Sequence, residues 1–230
     1  SITWGIHPGH NLGISEAMPN PFLAPGTLSR AGLDGPTVSI TNPLVVEESV
    51  LRTSLRPGLL EAIAYNESHR REGARLFEIG HAYPPGTGEL PDEYEELCVV
   101  LAGEEAPAAM LVWREIASAL GVGARVDQSR VPAGMHATRS ATLKAGKDPI
   151  GAVGEIDPSV LARFGVAERV AVLELNLGQV LQRAPKPAGW KAVSRHPSSD
   201  LDLAFVLPDD VPTEKLDTAI RRGAGALRRD

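Results

Sequence analysis

The chain has 230 residues, of which 43% are hydrophobic and only 4% aromatic, and its formal net charge at pH 7 is −6. This length and apolar content suffice for a buried core, filled mostly by aliphatic side chains, in one large domain or in one domain and part of another. The negative charge argues against a protein that grips nucleic acid over its whole surface, although a local basic patch is still allowed.

The only cysteine and the longest apolar runs indicate the compartment. Cys98 lies in the apolar run "ELCVVLAG", which favours a buried, inert thiol over a nucleophile. One cysteine cannot form an internal disulfide, so a reducing compartment fits. No apolar run approaches the roughly 18 residues of a membrane span, and no signal-peptide pattern opens the chain. We therefore expect a cytoplasmic protein without a membrane anchor. Ser1 at the start and "GALRRD" at the end suggest a piece of a longer chain.

The first part of the chain is rich in glycine and proline and predicts only short elements. A helical turn is expected at residues 27–31, and "TVSITNP" is typical of a strand that ends at Asn-Pro. The stretch "NPLVVEESVLRTSLRPGLLEAIAYN" then predicts a helix. Thr53 or Ser54 can cap its free N–H groups, and Pro57 is tolerated in the first turn. One face repeats Leu55, Leu59, Leu60 and Ile63.

The middle of the chain predicts strands that alternate with helices. "ARLFEIGHAY" and "EELCVVLAG" indicate an antiparallel pair, and "PAAMLVWREIASALGV" an amphipathic helix that stops at Gly121. "ATRSATLKAG" and "DPIGAVGEID" predict a hairpin. A short helix capped by Asp157 and the strand "RVAVLELNL" follow. Clustered strands with helices on one side suggest an α+β domain built on an antiparallel sheet.

The end of the chain contains the best candidate boundary. "APKPAGW" is a proline-rich linker that separates the preceding strands from the strand "DLDLAFVLP" and the helix "PTEKLDTAIRRGAGALRR". Two glycines weaken that last helix.

Four blocks of the sequence carry a resemblance to a known family. "NPLVVEESVLRTSLRPGLLEAIAYN", "RLFEIGHAY", "GAVGEIDPSVLARFGV" and "SRHPSSDLDLAFVLPDDVP" stand in the order and at the spacing of landmarks in bacterial phenylalanine–tRNA ligase β subunits. Roughly from Gly13 onward, the chain resembles the C-terminal part of that family. The resemblance implies a class II aminoacyl-tRNA synthetase-like antiparallel sheet with flanking helices, followed by the start of a ferredoxin-like domain.

The resemblance also implies a domain organisation. Residues 1–184 correspond to a catalytically inactive class II synthetase-like module, and residues 185–191 to a linker. Residues 192–230 correspond to a truncated ferredoxin-like domain that binds tRNA or its anticodon.

An active class II site needs arginines that this chain lacks. Phosphoryl groups in such a site are held by fixed guanidinium groups. Where the first arginine is expected, the chain has His81, Ala82 and Tyr83. For the second, Arg169 is present, but the family's glycine pair is reduced to Gly165, and we favour a surface residue at a strand start. The resemblance therefore implies no catalytic residues.

Arg52 and Arg56 allow two interpretations. In one, they face a ligand; in the other, they bind carbonyls or acidic neighbours such as Glu47 and Glu48. We favour the structural interpretation. Together with Thr53 and Ser54, they are candidates for structural or interface roles, because the resemblance implies that such modules contact the catalytic α subunit.

Other polar groups give weaker signals. His7 and His10 in "HPGH" have no third ligand at a useful distance, so we expect loop histidines. Glu155 and Asp157 resemble a carboxylate pair, but Asp157 is better explained as a helix cap. No metal site is predicted. Ser54, Ser140 and Ser194 lack a His and Asp constellation that the sequence can establish, so nucleophilic catalysis is unsupported.

Two further stretches depart from the family pattern. In "HATRSA", His136, Arg139, Ser140 and Ala141 match the family, but Ala137 and Thr138 replace Pro and Gly. We favour a hydrogen-bonded turn there over a polar cluster on the open face of the sheet. Asp200 and Leu201 stand where the family carries basic residues. A basic group on the last helix is either a set of tRNA phosphate contacts or a solvated face, and it comprises Arg221, Arg222, Arg228 and Arg229.

These observations leave more than one class of function open. The resemblance implies a non-catalytic part of a phenylalanine–tRNA ligase α2β2 heterotetramer, which scaffolds the catalytic α subunit and helps to bind tRNA(Phe). The fragment itself would bind no cofactor, whereas the holoenzyme uses ATP and Mg²⁺. The alternatives are an autonomous class II-fold adenylate-binding enzyme and a module that binds some other protein.

Overall fold

The computed structural model describes residues 12–86, 88, 91–185, 202–208 and 211–225. The chain divides into two compact units, Ser1–Lys186 and Pro187–Asp230.

The first half of unit one contains short elements and then the first long helix and strands. The elements are β1 (Ser15–Glu16), β2 (Phe22–Leu23), α1 (Thr27–Arg30), a 3₁₀ turn (Val46–Glu48), β3 (Val50–Leu51), α2 (Arg56–Ser68), β4 (Arg75–Ala82) and β5 (Tyr94–Ala102). The second half consists of α3 (Ala106–Leu120), β6 (Arg125–Asp127), β7 (Met135–Ala145), β8 (Asp148–Ile156), α4 (Pro158–Phe164), β9 (Val170–Asn176) and α5 (Leu177–Leu181).

Seven of these strands form one sheet in the order β1-β4-β5-β9-β8-β7-β6. The short β1 pairs with β4 in parallel, and every other neighbouring pair in this sheet is antiparallel. Strands β5 and β9 lie next to each other at the centre although more than 60 residues separate them in sequence, from Ala102 to Val170. Strands β2 and β3 form a separate pair. The predicted antiparallel sheet with flanking helices is confirmed at this level.

Helices cover both faces of the sheet rather than one, so that part of the expectation is wrong. Alternate residues of β5 point to opposite faces. Leu97, Val99 and Leu101 pack in the cluster that contains α3, whereas Cys98 and Val100 pack in the cluster that contains α2 and α4. The apolar run in β5 is therefore continuous because both of its faces are buried.

The long elements form where the sequence pattern predicts them. On α2, Leu59, Leu60 and Ile63 are fully buried. Helix α3 buries Ala109, Val112, Trp113 and Ile116, and it ends at Gly121 as predicted. Asp157 accepts a hydrogen bond from the N–H of Ser159 (2.8 Å), which confirms the predicted cap of α4. The hairpin β7–β8 and the antiparallel pair β4–β5 are also confirmed.

The strand predicted at "TVSITNP" is reduced to an isolated bridge between Ser39 and Val50. Its partner β3 has only two residues, and β2 occupies the other edge of β3. A proline at each end of the stretch, Pro36 and Pro43, cannot donate a ladder hydrogen bond. The pairing therefore stops after one bridge.

In the second unit, the described residues contain helix α6 (Thr213–Ala224). The predicted strand at "DLDLAFVLP" is not formed in residues 202–208, where Leu203, Phe205 and Val206 are exposed. A strand requires a hydrogen-bonding neighbour, and no paired strand exists among the described residues of this unit. The helix prediction is confirmed over the residues that the structure describes.

A close backbone approach at Gly134 gives a testable consequence for stability. Gly134 has φ 68°, and a Cβ there would stand 2.3 Å from the carbonyl oxygen of Ala31 and 2.6 Å from Nη1 of Arg56. Gly146 has φ 65° with open space around it. We expect Gly146→Ala to cost about 1–2 kcal/mol, the strain of a left-handed alanine. Gly134→Ala adds a steric clash that should cost a further amount of about 1–3 kcal/mol. The thermal midpoint of Gly134→Ala should therefore be lower than that of Gly146→Ala. Equal midpoints would contradict this reading.

Candidate functional site

The candidate site lies on the face of the sheet covered by the start of α2. Glu96 and Cys98 are two residues apart on β5, so their side chains share a face. Glu174 on β9 pairs with Cys98 across the ladder. The N-terminus of α2 brings Arg56 over these residues. Three acidic or thiol side chains and one guanidinium thus meet in a buried part of unit one.

Arg56 is held on every side. Its Nε and Nη2 donate to the two carboxylate oxygens of Glu174 at 2.7 and 2.6 Å, and its Nη1 donates to the carbonyl of Ala133 at 2.7 Å. Only 2% of the side chain is exposed. Burial opposes the charge of Arg56, but the Glu174 carboxylate outweighs it and raises the pKa. Each of its three nitrogen atoms thus has a partner, and burial keeps the guanidinium from a ligand in solution.

Arg52 is paired in the same way. Its Nε donates to the carbonyl of His81 (2.9 Å) and its Nη1 to Glu78 Oε1 (2.7 Å). Burial raises the pKa of Glu78, and the Arg52 guanidinium only partly offsets it. The predicted partners Glu47 and Glu48 are wrong; Arg52 and Arg56 instead bind carboxylates of β4 and β9. Each arginine also binds a backbone carbonyl, the other kind of partner that the structural interpretation offered. A local sequence pattern cannot reveal partners that lie 26 and 118 residues away.

Ser54 connects the helix start to the acidic groups. Its Oγ accepts a hydrogen bond from the N–H of Arg56 (3.1 Å), so it satisfies one free donor of the first turn. The same hydroxyl lies 3.3 Å from Glu96 Oε1 and 3.5 Å from Glu174 Oε1. Thr53, the fourth candidate of this stretch, lines the adjoining cavity.

A cavity of about 260 Å³ opens beside these groups, and Glu96 faces it. Glu96 is 3% exposed, and its Oε2 has no hydrogen-bond partner in the part of the chain that the structure describes. Burial, reinforced by the Glu174 carboxylate, raises the pKa of Glu96 well above its ordinary value. Burial also raises the pKa of Tyr94, which lines the same cavity, and both carboxylates add to this. The cavity is thus acidic in character, with one orphaned oxygen.

Cys98 is fully buried, as predicted. Burial raises the pKa of the Cys98 thiol, and the carboxylates of Glu174 and Glu96 raise it further. A thiol with a raised pKa is a poor nucleophile at neutral pH. The prediction of a buried thiol is confirmed.

The raised pKa of Glu96 predicts a stability that depends on pH. As pH rises above the ordinary value of 4.5, the unfolded chain loses the Glu96 proton while the folded chain keeps it. Folding stability must then fall with rising pH, by about 1.4 kcal/mol for each unit that separates the two pKa values. Glu96→Gln is neutral at every pH and should not show this fall.

The measurement is the urea midpoint between pH 5 and pH 8 in the presence of EDTA. We expect wild type to lose stability relative to Glu96→Gln across this range. Glu95→Gln, on the exposed neighbouring position, is the control and should follow wild type. Parallel curves for wild type and Glu96→Gln would show that Glu96 does not titrate as described.

The positions where a class II site would carry phosphate-binding arginines hold no free cation among the residues described. His81 is about half exposed and lies 3.4 Å from Glu93, and Ala82 is buried at the end of β4. Arg169 precedes β9, is about half exposed and pairs with Glu105, as expected for a surface residue at a strand start.

The stretch "HATRSA" lies in β7 at an irregularity of the ladder between Met135 and Ser140. Ser140 Oγ donates to the carbonyl of His136 (2.7 Å), and Arg139 Nε donates to Glu155 Oε2 (2.8 Å). Burial favours a higher pKa for Glu155, but the N–H of Ala106 and the Arg139 guanidinium outweigh it and lower the pKa. The stretch is thus hydrogen-bonded, but the favoured turn is wrong, because residues 136–141 are extended within β7 and the departure from a regular ladder is only a shift in register.

Several predicted residues fall elsewhere. Arg221 Nε donates to Asp217 (2.6 Å) on α6, and Arg222 is exposed. The sequence pattern also singled out residues that lie outside the described part of the chain, namely His7, His10, Ser194, Asp200, Leu201, Arg228 and Arg229.

Sequence reasoning missed Glu78, Glu96 and Glu174 as members of the site. Side chains along β4, β5 and β9 alternate between the two faces of the sheet, and each of these three glutamates stands at a position that points to the face covered by α2. A charged residue at an inward position of a buried strand is a signal that could have identified them, because buried charges need partners.

A second cavity, of about 220 Å³, lies on the opposite face of the sheet, between α3 and α5. Aliphatic side chains and Phe77 form its walls. It offers no group that could carry out acid–base chemistry.

Comparison with known proteins identifies the family. Residues 9–177 match the profile described as the phenylalanyl tRNA synthetase beta chain CLM domain. The phenylalanine–tRNA ligase beta subunit of Dehalococcoides mccartyi is 31% identical over 219 residues, which is 89% of this chain and 27% of that protein. The subunit of Syntrophotalea carbinolica is 33% identical over 242 residues, which is 95% of this chain and 30% of that protein. The chain therefore spans less than a third of the length of these relatives.

A solved structure is similar in fold. PylSc of Desulfitobacterium hafniense, a pyrrolysyl tRNA synthetase, superposes with a TM-score of 0.56 at 17% identity, covering 74% of this chain and 62% of that one. In the part of the chain that the structure describes, no helix is both long and apolar enough to cross a membrane. The sequence match, the sheet and its flanking helices agree, and the chain belongs to the phenylalanyl-tRNA synthetase beta chain family.

Proposed function

We propose that this chain is a non-catalytic part of a phenylalanine–tRNA ligase β subunit that scaffolds the catalytic α subunit in a cytoplasmic α2β2 heterotetramer. ATP and Mg²⁺ are used by the holoenzyme and are not bound by this part. The last segment, with Arg221, Arg222, Arg228 and Arg229, helps to bind tRNA(Phe) through its phosphates.

The state of Arg52 and Arg56 carries the proposal that this module is not catalytic. A site for a reacting triphosphate needs cations that are free to bind phosphate. Here the guanidinium groups of Arg52 and Arg56 are hydrogen-bonded to the carboxylates of Glu78 and Glu174, respectively, and to backbone carbonyls. The neighbouring cavity is lined by Glu96 and Glu174 and by no lysine or arginine among the described residues, so it offers no cation to a polyphosphate.

Pyrophosphate exchange tests this proposal against the alternative of an autonomous adenylate-binding enzyme. The isolated chain is incubated with ATP, labelled pyrophosphate and phenylalanine, with the assembled α and β subunits as a positive control. We expect no exchange by the chain alone. Measurable exchange that copurifies with the chain would overturn the non-catalytic assignment.

An exposed apolar group supports a partner surface. Leu44 is 99% exposed and Val46 67% exposed in the segment before β3, with Val45 between them about half exposed. Adjacent apolar side chains left in solvent are typical of a surface that another protein covers. We assign this group to contact with the α subunit.

Leu44→Glu tests that assignment. A carboxylate placed in an apolar interface loses its hydration, so affinity for the α subunit should fall by at least about tenfold, a cost of about 1.4 kcal/mol. The measurement is binding of purified α subunit to the chain by biosensor or calorimetry. Leu111→Glu, at a half-exposed position of α3, is the control and should bind as wild type does.

Three outcomes are informative. Equal losses in both variants would point to misfolding, which circular dichroism would reveal. Unchanged affinity in Leu44→Glu would remove this segment from the interface. Failure of the wild-type chain to bind the α subunit would contradict the scaffolding role itself.

A further inference from the structure

We infer that Glu96, Cys98 and Glu174 form a binding site for a zinc ion on the face of the sheet that α2 covers. One oxygen of each carboxylate and the sulfur of Cys98 lie within 4.8 Å of one another. The strands fix this spacing, because Glu96 and Cys98 are alternate residues of β5 and Glu174 is the ladder partner of Cys98. Three donors from two central strands therefore converge on one point.

An independent observation points to a missing ligand. Glu96 Oε2 is buried and has no hydrogen-bond partner among the described residues, although Glu96 is only 3% exposed. Buried carboxylate oxygens normally have a partner, because leaving one unsatisfied costs free energy. Glu96 and Glu174 both line the cavity of about 260 Å³, through which an ion and a water molecule could reach them.

The charges around the point are consistent with a divalent cation. A metal ion binds the deprotonated forms of glutamate and cysteine, so its binding would release the protons that Glu96 and Cys98 hold without it. Two carboxylates and a thiolate would then face one guanidinium, that of Arg56, which leaves two negative charges for the ion to neutralise. Arg56 binds both oxygens of Glu174. Each carboxylate oxygen has a second lone pair, so Glu174 can bind the guanidinium and the ion together. Arg56 would orient Glu174, and Ser54 would orient Glu96, through the hydrogen bonds that they make to these carboxylates.

The donor set selects the metal. A thiolate with two carboxylates suits Zn²⁺, which accepts sulfur and oxygen ligands in a four-coordinate site. Mg²⁺ and Ca²⁺ prefer oxygen ligands only and take six or more. The cavity of about 260 Å³ that Glu96 and Glu174 line has room for a water molecule as the fourth ligand.

Zinc content and a cobalt spectrum test the site on the full 230-residue chain. After incubation with Zn²⁺ and dialysis, we expect about one equivalent of zinc per chain by mass spectrometry, and none of Mg²⁺. With Co²⁺ as the probe, wild type should show a sulfur-to-cobalt charge-transfer band in the near ultraviolet. No such band, or no retained zinc, would overturn the inference.

Variants locate the ion. Cys98→Ser should abolish the charge-transfer band, and Glu96→Gln should weaken Zn²⁺ binding by more than about tenfold. The double variant His7→Ala, His10→Ala is the control, because "HPGH" is the other metal-like pattern in the sequence, and it should bind as wild type does. A band that survives Cys98→Ser, or is lost in the histidine control, places the ion elsewhere. If Cys98→Ser does not fold, as judged by circular dichroism, the wild-type cobalt spectrum and Glu96→Gln still decide.

Discussion

Glu174→Gln should destabilise the protein by roughly 3–5 kcal/mol, because it leaves the Arg56 charge buried without a counterion. Only 2% of the Arg56 side chain is exposed, and Glu174 supplies the partners of two of its nitrogen atoms. The free energy of unfolding would be measured by urea denaturation at pH 7 in EDTA. For comparison, Glu105→Gln removes the partner of Arg169 in an exposed pair and should cost at most about 1 kcal/mol.

A second variant separates the loss of an ion pair from a general loss of packing. Arg56→Met combined with Glu174→Gln removes both charges and leaves an apolar side chain of similar length in the site. Such replacements of buried pairs are often nearly neutral. We expect the double variant to recover most of the stability that Glu174→Gln loses. A double variant that is less stable than Glu174→Gln would show that the charge of Arg56 is not the cause.

Trp113→Ala should cost about 3–5 kcal/mol, since it opens a large cavity in the core on the other face of the sheet. Trp113 is 4% exposed on α3, in the cluster that contains Val99 and Leu173 of the central strands. Leu111→Ala is the matched control, because Leu111 lies on the same helix and is half exposed. Its effect should stay within about 0.5 kcal/mol.

Thermal and urea unfolding would measure both alanine variants. A similar destabilisation by Leu111→Ala would mean that Leu111 packs in the core and does not face solvent. A loss below about 1 kcal/mol for Trp113→Ala would mean that the indole is not part of the core.

Several elements follow from local sequence alone. The period of Val112, Trp113 and Ile116 and the stop at Gly121 define α3 because a helix returns to the same face every three or four residues. Asp157 before Pro158 defines the start of α4 through a cap that acts over two residues. The hairpin β7–β8 is likewise defined by a turn of neighbouring residues. Each of these interactions joins residues that are close in sequence.

Non-local pairing decided the rest of the fold. The pattern of "DLDLAFVLP" predicts a strand, but residues 202–208 have no strand beside them in the described part of the second unit, so no strand forms there. The apolar run in β5 did not reveal that helices cover both faces, because a continuous run is equally compatible with several layer arrangements.

The sequence by itself determined the family, the positions of the long helices and strands, and the burial of Cys98. It also showed that arginines typical of a phosphate-binding site are lacking at His81–Tyr83. Only the tertiary structure decided what Arg52 and Arg56 do, and it gave them Glu78 and Glu174 rather than Glu47 and Glu48. The physical reason is the strand order β4-β5-β9, which brings residues 118 positions apart into contact and is not encoded in any local pattern.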